Sequence, residues 1–165
     1  MCGGSYPGAG CHAPQPLGWY TDLGSTDSHD PNYLTGVRIT VATASTLSKF
    51  GLIAGSDALG AHVQFGLYRD GGGTAGPTTL VASTNGAALV MGRNEVTPTT
   101  AAVALAPGDY WIMAVFDRST DVGHDTGTSA TWRYAMLAYG SALPTTVSTM
   151  SVTGVAEINF YVLVY

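Results

Sequence analysis

Val37, Ile39 and Val41 alternate with Arg38 and Thr40. A period of two marks a strand with one face covered. Val63, Phe65 and Leu67 alternate with Gln64 and Gly66 in the same way, and Ile158, Phe160, Val162 and Val164 alternate with Asn159, Tyr161, Leu163 and Tyr165. Leu47, Phe50, Leu52 and Ile53 predict another strand. Further strands are expected over 79–83, 94–97, 102–105, 110–116 and 132–139. Glycines 55 and 60, the run DGGGTAGP (70–77) and the pair Pro107-Gly108 supply breaks, because proline presets one torsion and glycine accepts positive φ. The segments GSTDSHDPN (24–32) and DRSTDVGHDTGTS (117–129) read as polar loops. No window sustains an i, i+3, i+4 pattern. Eight to ten short strands between turns predict an all-β sandwich or barrel.

Two strands carry apolar residues on both faces. Tyr110, Ile112, Ala114 and Phe116 form one face of the first, and Trp111, Met113 and Val115 form the other. In the second, Tyr161, Leu163 and Tyr165 lie opposite Phe160 and Val162. One face goes to the core. The other needs cover from the N-terminal arm, from a loop or from another subunit, since a large bare apolar patch marks a binding surface. Trp111, Met113, Tyr161, Leu163 and Tyr165, with Tyr6 of the arm, are therefore interface candidates for a homo-oligomer or for docking on another structural protein.

Residues 1–16 are Gly/Pro-rich and aperiodic, an irregular arm preceding a domain over 17–165. Cys2 and Cys11 flank GGSYPGAG, flexible enough to close a disulfide ring. Free or intermolecular thiols, or a zinc site with His12, are the alternatives.

The runs NYLTGVRITVATASTLSKFGLI, VQFGLYRDGGGTAGPTTLVAST and LAPGDYWIMAVF, with the terminal strand ending at Tyr165, resemble a jelly-roll-like β-sandwich domain of bacterial surface and secreted proteins and of phage structural proteins. The resemblance spans 35–165. It implies a single jelly-roll-like sandwich and a non-enzymatic accessory or structural role, often a carbohydrate-binding one. It supplies no catalytic motif to carry over.

Charge narrows the field further. Of 165 residues only 10% are charged, with six Lys and Arg against eleven Asp and Glu and a net charge of −5. No basic stripe exists to neutralise phosphates, so nucleic-acid binding is not expected. No run of 18 apolar residues predicts a membrane-inserting helix. The opening residues hold no signal-like segment, so the chain is either made without one or has had it removed, and its Thr/Ser/Gly-rich composition suits the exterior of a cell or particle.

Asp117, Asp121 and Asp125 recur every four residues in one polar segment. Calcium takes several oxygen ligands from such loops, so the segment is a candidate calcium site, against a plainly solvated loop. His124 in that segment and His29 with Asp30 in the other are candidate ligand-loop residues that could meet in space. Trp19, Tyr20 and Tyr33 lie near loops, where rings could stack on sugars. Gly71, Gly73 and Gly76 fit G-x-G-x-x-G, but a strand rather than a helix follows, which removes the dinucleotide reading. No G-x-S-x-G elbow occurs and no catalytic set is identified. The expectation is a non-enzymatic virion component, a decoration, fibre or tail protein. The alternative is an exported bacterial module for glycan binding or adhesion. Both place the chain on a virion surface or outside the cell.

Overall fold

The computed structural model describes residues 13–72, 75–126, 131–147 and 150–165. Fifteen strands follow one another among them: β1 (Gln15–Gly18), β2 (Thr26–His29), β3 (Tyr33–Val41), β4 (Ser45–Ala54), β5 (His62–Asp70), β6 (Pro77–Ser83), β7 (Ala87–Ala88), β8 (Gly92–Val96), β9 (Val103–Leu105), β10 (Gly108–Phe116), β11 (Thr120–Asp125), β12 (Thr131–Met136), β13 (Ser151–Val155), β14 (Glu157–Ile158) and β15 (Phe160–Val164). A single 3-10 turn, Ser56–Ala58, follows β4.

The strands form two antiparallel sheets packed as a β-sandwich. The first runs β1-β15-β4-β11-β14, with β2 on β11 and with β8 and β9 on β4. The second runs β13-β12-β3-β10-β5-β6, with β7 on β5. The all-β sandwich expected from the alternation is therefore present. The strand count exceeds eight to ten because pieces of two to six residues, such as β2, β7, β11 and β14, pair at the margins without apolar alternation of their own.

The inner faces meet in one large core. Phe50 stacks on Phe65 at 5.5 Å, and Phe65 meets Phe160 edge-on at 6.2 Å. Val37, Ile112, Phe116 and Val162 complete this layer, all but inaccessible to solvent. Such offset and edge-on ring pairs add to the burial of apolar area, the main favourable term in folding.

The second apolar face of β10 is covered by the chain itself. Trp111, Met113 and Val115 pack with Leu34, Tyr68, Leu143 and Val147. The covering segment is tied down by Leu80 N–H donating to Thr145 O at 3.0 Å and Leu137 N–H donating to Asn32 O at 2.9 Å. The Tyr139 N–H also donates to Asn32 Oδ1 at 2.9 Å. Asn32 stands at φ 63, a left-handed conformation that asparagine accepts more readily than most residues. The Trp111 indole N–H donates to Asp70 Oδ1 at 2.6 Å, so its polar edge is satisfied beneath the cover.

The outer face of β15 is treated similarly. Tyr161 is fully buried, lying across Gly51, with Tyr20 edge-on at 4.9 Å and the Arg93 guanidinium 5.5 Å from its ring. Trp111, Met113, Tyr161 and Leu163, expected at a subunit interface, are at most 9% exposed and packed within the chain. The physical reason for β10 is the segment after β12, a stretch without alternation whose apolar residues return over that strand. Tyr165 is 60% exposed. Tyr6, Cys2 and Cys11 lie outside the described residues, as does most of the arm, whereas Gln15 and Pro16 already belong to β1 on the edge of β15.

Asn159 joins the elements at the seam between β14 and β15. Its backbone N–H donates to Gly123 O at 2.8 Å, and its carbonyl accepts from Ile53 N–H at 3.2 Å. Its side-chain Oδ1 accepts from Leu23 N–H, and Nδ2 donates to Trp19 O and Thr21 O at 2.9 and 2.7 Å. A fully buried amide is tolerated there because its donors and acceptor are occupied.

Candidate functional site

The segment 24–32, expected as a loop, contains β2. Thr26 to His29 pair with Gly123 to Thr120 of β11, and β11 itself lies where the sequence suggested a loop over 117–129. Backbone pairing between two polar segments far apart in sequence overrides their weak local preference. Strand alternation then turns Asp27 and His29 to the same side of β2.

That side faces the other sheet across an open mouth of the sandwich. The opposing wall is built from β3 and β12, where Tyr33, Thr35 and Val37 stand opposite Met136, Tyr134 and Trp132. Val37 belongs to the core, and one and two steps further out the same face becomes the wall of a cleft. Asp27, Ser28, His29, Asp30, Tyr33, Thr35, Trp132 and Tyr134 enclose about 300 Å³. This is the small end of the range for ligand clefts.

The rings of the wall support one another. Tyr134 lies 5.6 Å from Tyr33, nearly perpendicular, and 5.7 Å from Trp132. The Trp132 indole N–H donates to Thr35 Oγ1, fixing the ring on the wall. His29 forms the floor, among Phe116, Phe160 and Trp132 at 6.0, 6.0 and 6.3 Å. It is 5% exposed and its Nε2 has no hydrogen-bond partner among the described residues. Burial pushes its pKa down to about 4 against the opposing pull of Asp27, with the nearby His124 also lowering it and Asp30 more weakly raising it. The imidazole is therefore neutral near pH 7, and the charged groups lining the cleft are two carboxylates.

The other expected site residues lie apart. Asp117 accepts from the His62 backbone N–H at 2.8 Å and pairs with the His62 ring at 2.9 Å. Burial acts to raise the Asp117 pKa, but the His62 hydrogen bonds and charge, with Arg118, hold it below the usual carboxylate value. Asp121 stands opposite Ser28, and Asp125 opposite Glu157. An extended strand separates positions 121 and 125 by about 13 Å, which a single cation could not bridge. Among the described residues no three His, Cys, Asp or Glu side chains converge on a metal position, so the expected calcium set of Asp117, Asp121 and Asp125 is not assembled. His124 stands opposite Ile158, off the cleft lining but near enough for its charge to act on His29, while His29 and Asp30 are part of the lining. Of the rings proposed for stacking, Tyr33 lines the cleft, Trp19 packs against the core, and Tyr20 lies against Tyr161.

Trp132 and Tyr134 were not singled out from the sequence. The signal available was the spacing Trp132-x-Tyr134 against Tyr33-x-Thr35, which places rings and a hydroxyl on one side of each of two strands. Comparison with models of protein families finds no match, and comparison with curated proteins finds none either.

Proposed function

We propose that the chain is a non-enzymatic surface module that holds a glycan in the cleft between β2 and the β3–β12 wall. The observation that carries this reading is the set of three partly accessible rings, Tyr33, Trp132 and Tyr134, facing hydrogen-bonding groups of Asp27, Ser28 and Asp30 across a space of about 300 Å³. A pyranose presents apolar C–H faces and a girdle of hydroxyls. Rings would take the first and carboxylates and hydroxyls the second. The jelly-roll-like resemblance to surface, secreted and phage structural proteins supports the same reading, an exterior protein acting by attachment. A role on a virion surface is compatible with it, the cleft then serving attachment rather than lattice contacts.

Trp132 makes the proposal measurable. The other two tryptophans, Trp19 against the core and Trp111 under the covering segment, are not part of the cleft lining, so a ligand in the cleft should act on Trp132 fluorescence. Titration with a panel of oligosaccharides should give a saturable change, weakened by about threefold to tenfold in Tyr134→Ala, the loss expected of one stacking ring. Absence of any response across neutral, acidic and amino oligosaccharides would overturn the reading.

A further inference from the structure

We propose that the cleft selects a cationic sugar, a glycan bearing free amino groups, over its neutral or N-acetylated counterpart. The inference rests on the glycan reading above and specifies the ligand. Asp27 and Asp30 both line the space, and among the described residues no Lys or Arg does. Three aromatic rings line it with them, and the faces of such rings attract cations through their quadrupoles. Carboxylates beside π-faces form an arrangement suited to an ammonium group, which donates to the former and rests against the latter.

The floor supports the same choice. Nε2 of His29 is the one buried side-chain polar atom of the lining left without a partner among the described residues. Because the imidazole stays neutral well below pH 7, it places no competing positive charge beneath the carboxylates. A neutral sugar would use the rings and hydroxyls but gain nothing from the two negative charges of Asp27 and Asp30. An acidic sugar would be repelled by them.

The test compares glucosamine oligomers with N-acetylglucosamine oligomers of equal length. Binding is followed by Trp132 fluorescence and calorimetry at about pH 6, where a free sugar amine is protonated and the imidazole is not. The amino oligomer should bind at least about tenfold more tightly, the step that one added charge-assisted contact supplies. The double variant Asp27→Asn/Asp30→Asn should remove that preference while keeping the melting temperature. Equal or tighter binding of the N-acetylated oligomer would overturn the cationic preference and leave the glycan reading standing. A preference that survives in the double variant would overturn its assignment to Asp27 and Asp30, again leaving the glycan reading standing. Failure of both oligomers to bind would overturn the two together.

Discussion

The side-chain oxygen of Asn159 occupies the place where a Cβ on Gly123 would stand. Glycine is required at position 123 because the amide needs that room to reach the 19–23 segment. Gly123→Ala is expected to cost about 3 kcal/mol through overpacking. Asn159→Ala should cost a similar amount, since it strands the Leu23 N–H and the Trp19 and Thr21 carbonyls. The double variant should be much less damaging than the sum, because Asn159→Ala removes the very atom that the new methyl group of Gly123→Ala would strike. Urea unfolding of wild type, the two single variants and the double variant checks this, and simple additivity would refute the steric account.

His29 gives the fold a pH dependence whose sign is fixed by its lowered pKa. The unfolded chain takes up its proton near pH 6.5, and the folded chain only near pH 4. Between those values the unfolded state binds more protons. Stability from this group is therefore complete above about pH 6.5 and falls by about 3 kcal/mol on the way down to pH 4. His29→Gln should flatten that part of the stability curve. A wild-type curve already flat from pH 6.5 to 4 would contradict the burial of a neutral ring.

Gly51 and Arg93 both bear on the Tyr161 ring, and the two should differ in weight. A Cβ at position 51 would collide with the Tyr161 ring inside a closed layer, so Gly51→Ala is expected to cost at least about 2 kcal/mol. Arg93 lies 3.7 Å over the Tyr20 ring at the surface, so Arg93→Ala should cost about 1 kcal/mol or less. Thermal melts of both variants give the order, and a reversed order would count against the packing described.

Leu143 belongs to the cover over Trp111 and Met113. Leu143→Ala should cost about 2 kcal/mol, the low end for a buried leucine. Leu143→Asp should leave the sandwich folded but uncover the β10 face, raising binding of a hydrophobic dye and promoting self-association at concentrations on the order of tens of micromolar. Unchanged dye binding in a Leu143→Asp variant that stays monomeric would show that the segment is not what shields that face.

The alternation of Val37, Ile39 and Val41 and the two-sided apolar run from Tyr110 to Phe116 were enough to read the sandwich, because those strands are stabilised by burying their own side chains. β2 and β11 were not legible. TDSH and TDVGHD hold one aliphatic residue between them, Val122, and become strands by backbone pairing across long stretches of chain, β2 with β11 and β11 also with β4 and β14. The cleft shared that fate. His29 and Asp30 stood out as chemistry-bearing residues, but Trp132 and Tyr134 looked like ordinary strand aromatics until β2 was set across from them. The metal set failed for the converse reason. Four-residue spacing gathers carboxylates only if the backbone curls, and the partner strand holds it straight.

The place of β15 also sets when the sandwich can fold during synthesis. β4 is the strand against which β8, β9 and β15 all pair, and Phe160 meets both Phe65 and Phe116 in the core. Until residues 160–164 have left the ribosome, the first sheet lacks the strand that joins β1 to β4, and the core lacks Phe160. Most of the contacts that reward collapse link positions far apart in the chain, so ordering comes late and slowly. A nascent chain stopped short of Phe160 would leave the inner face of the second sheet without its Phe160 partner and β1 without the strand it pairs with.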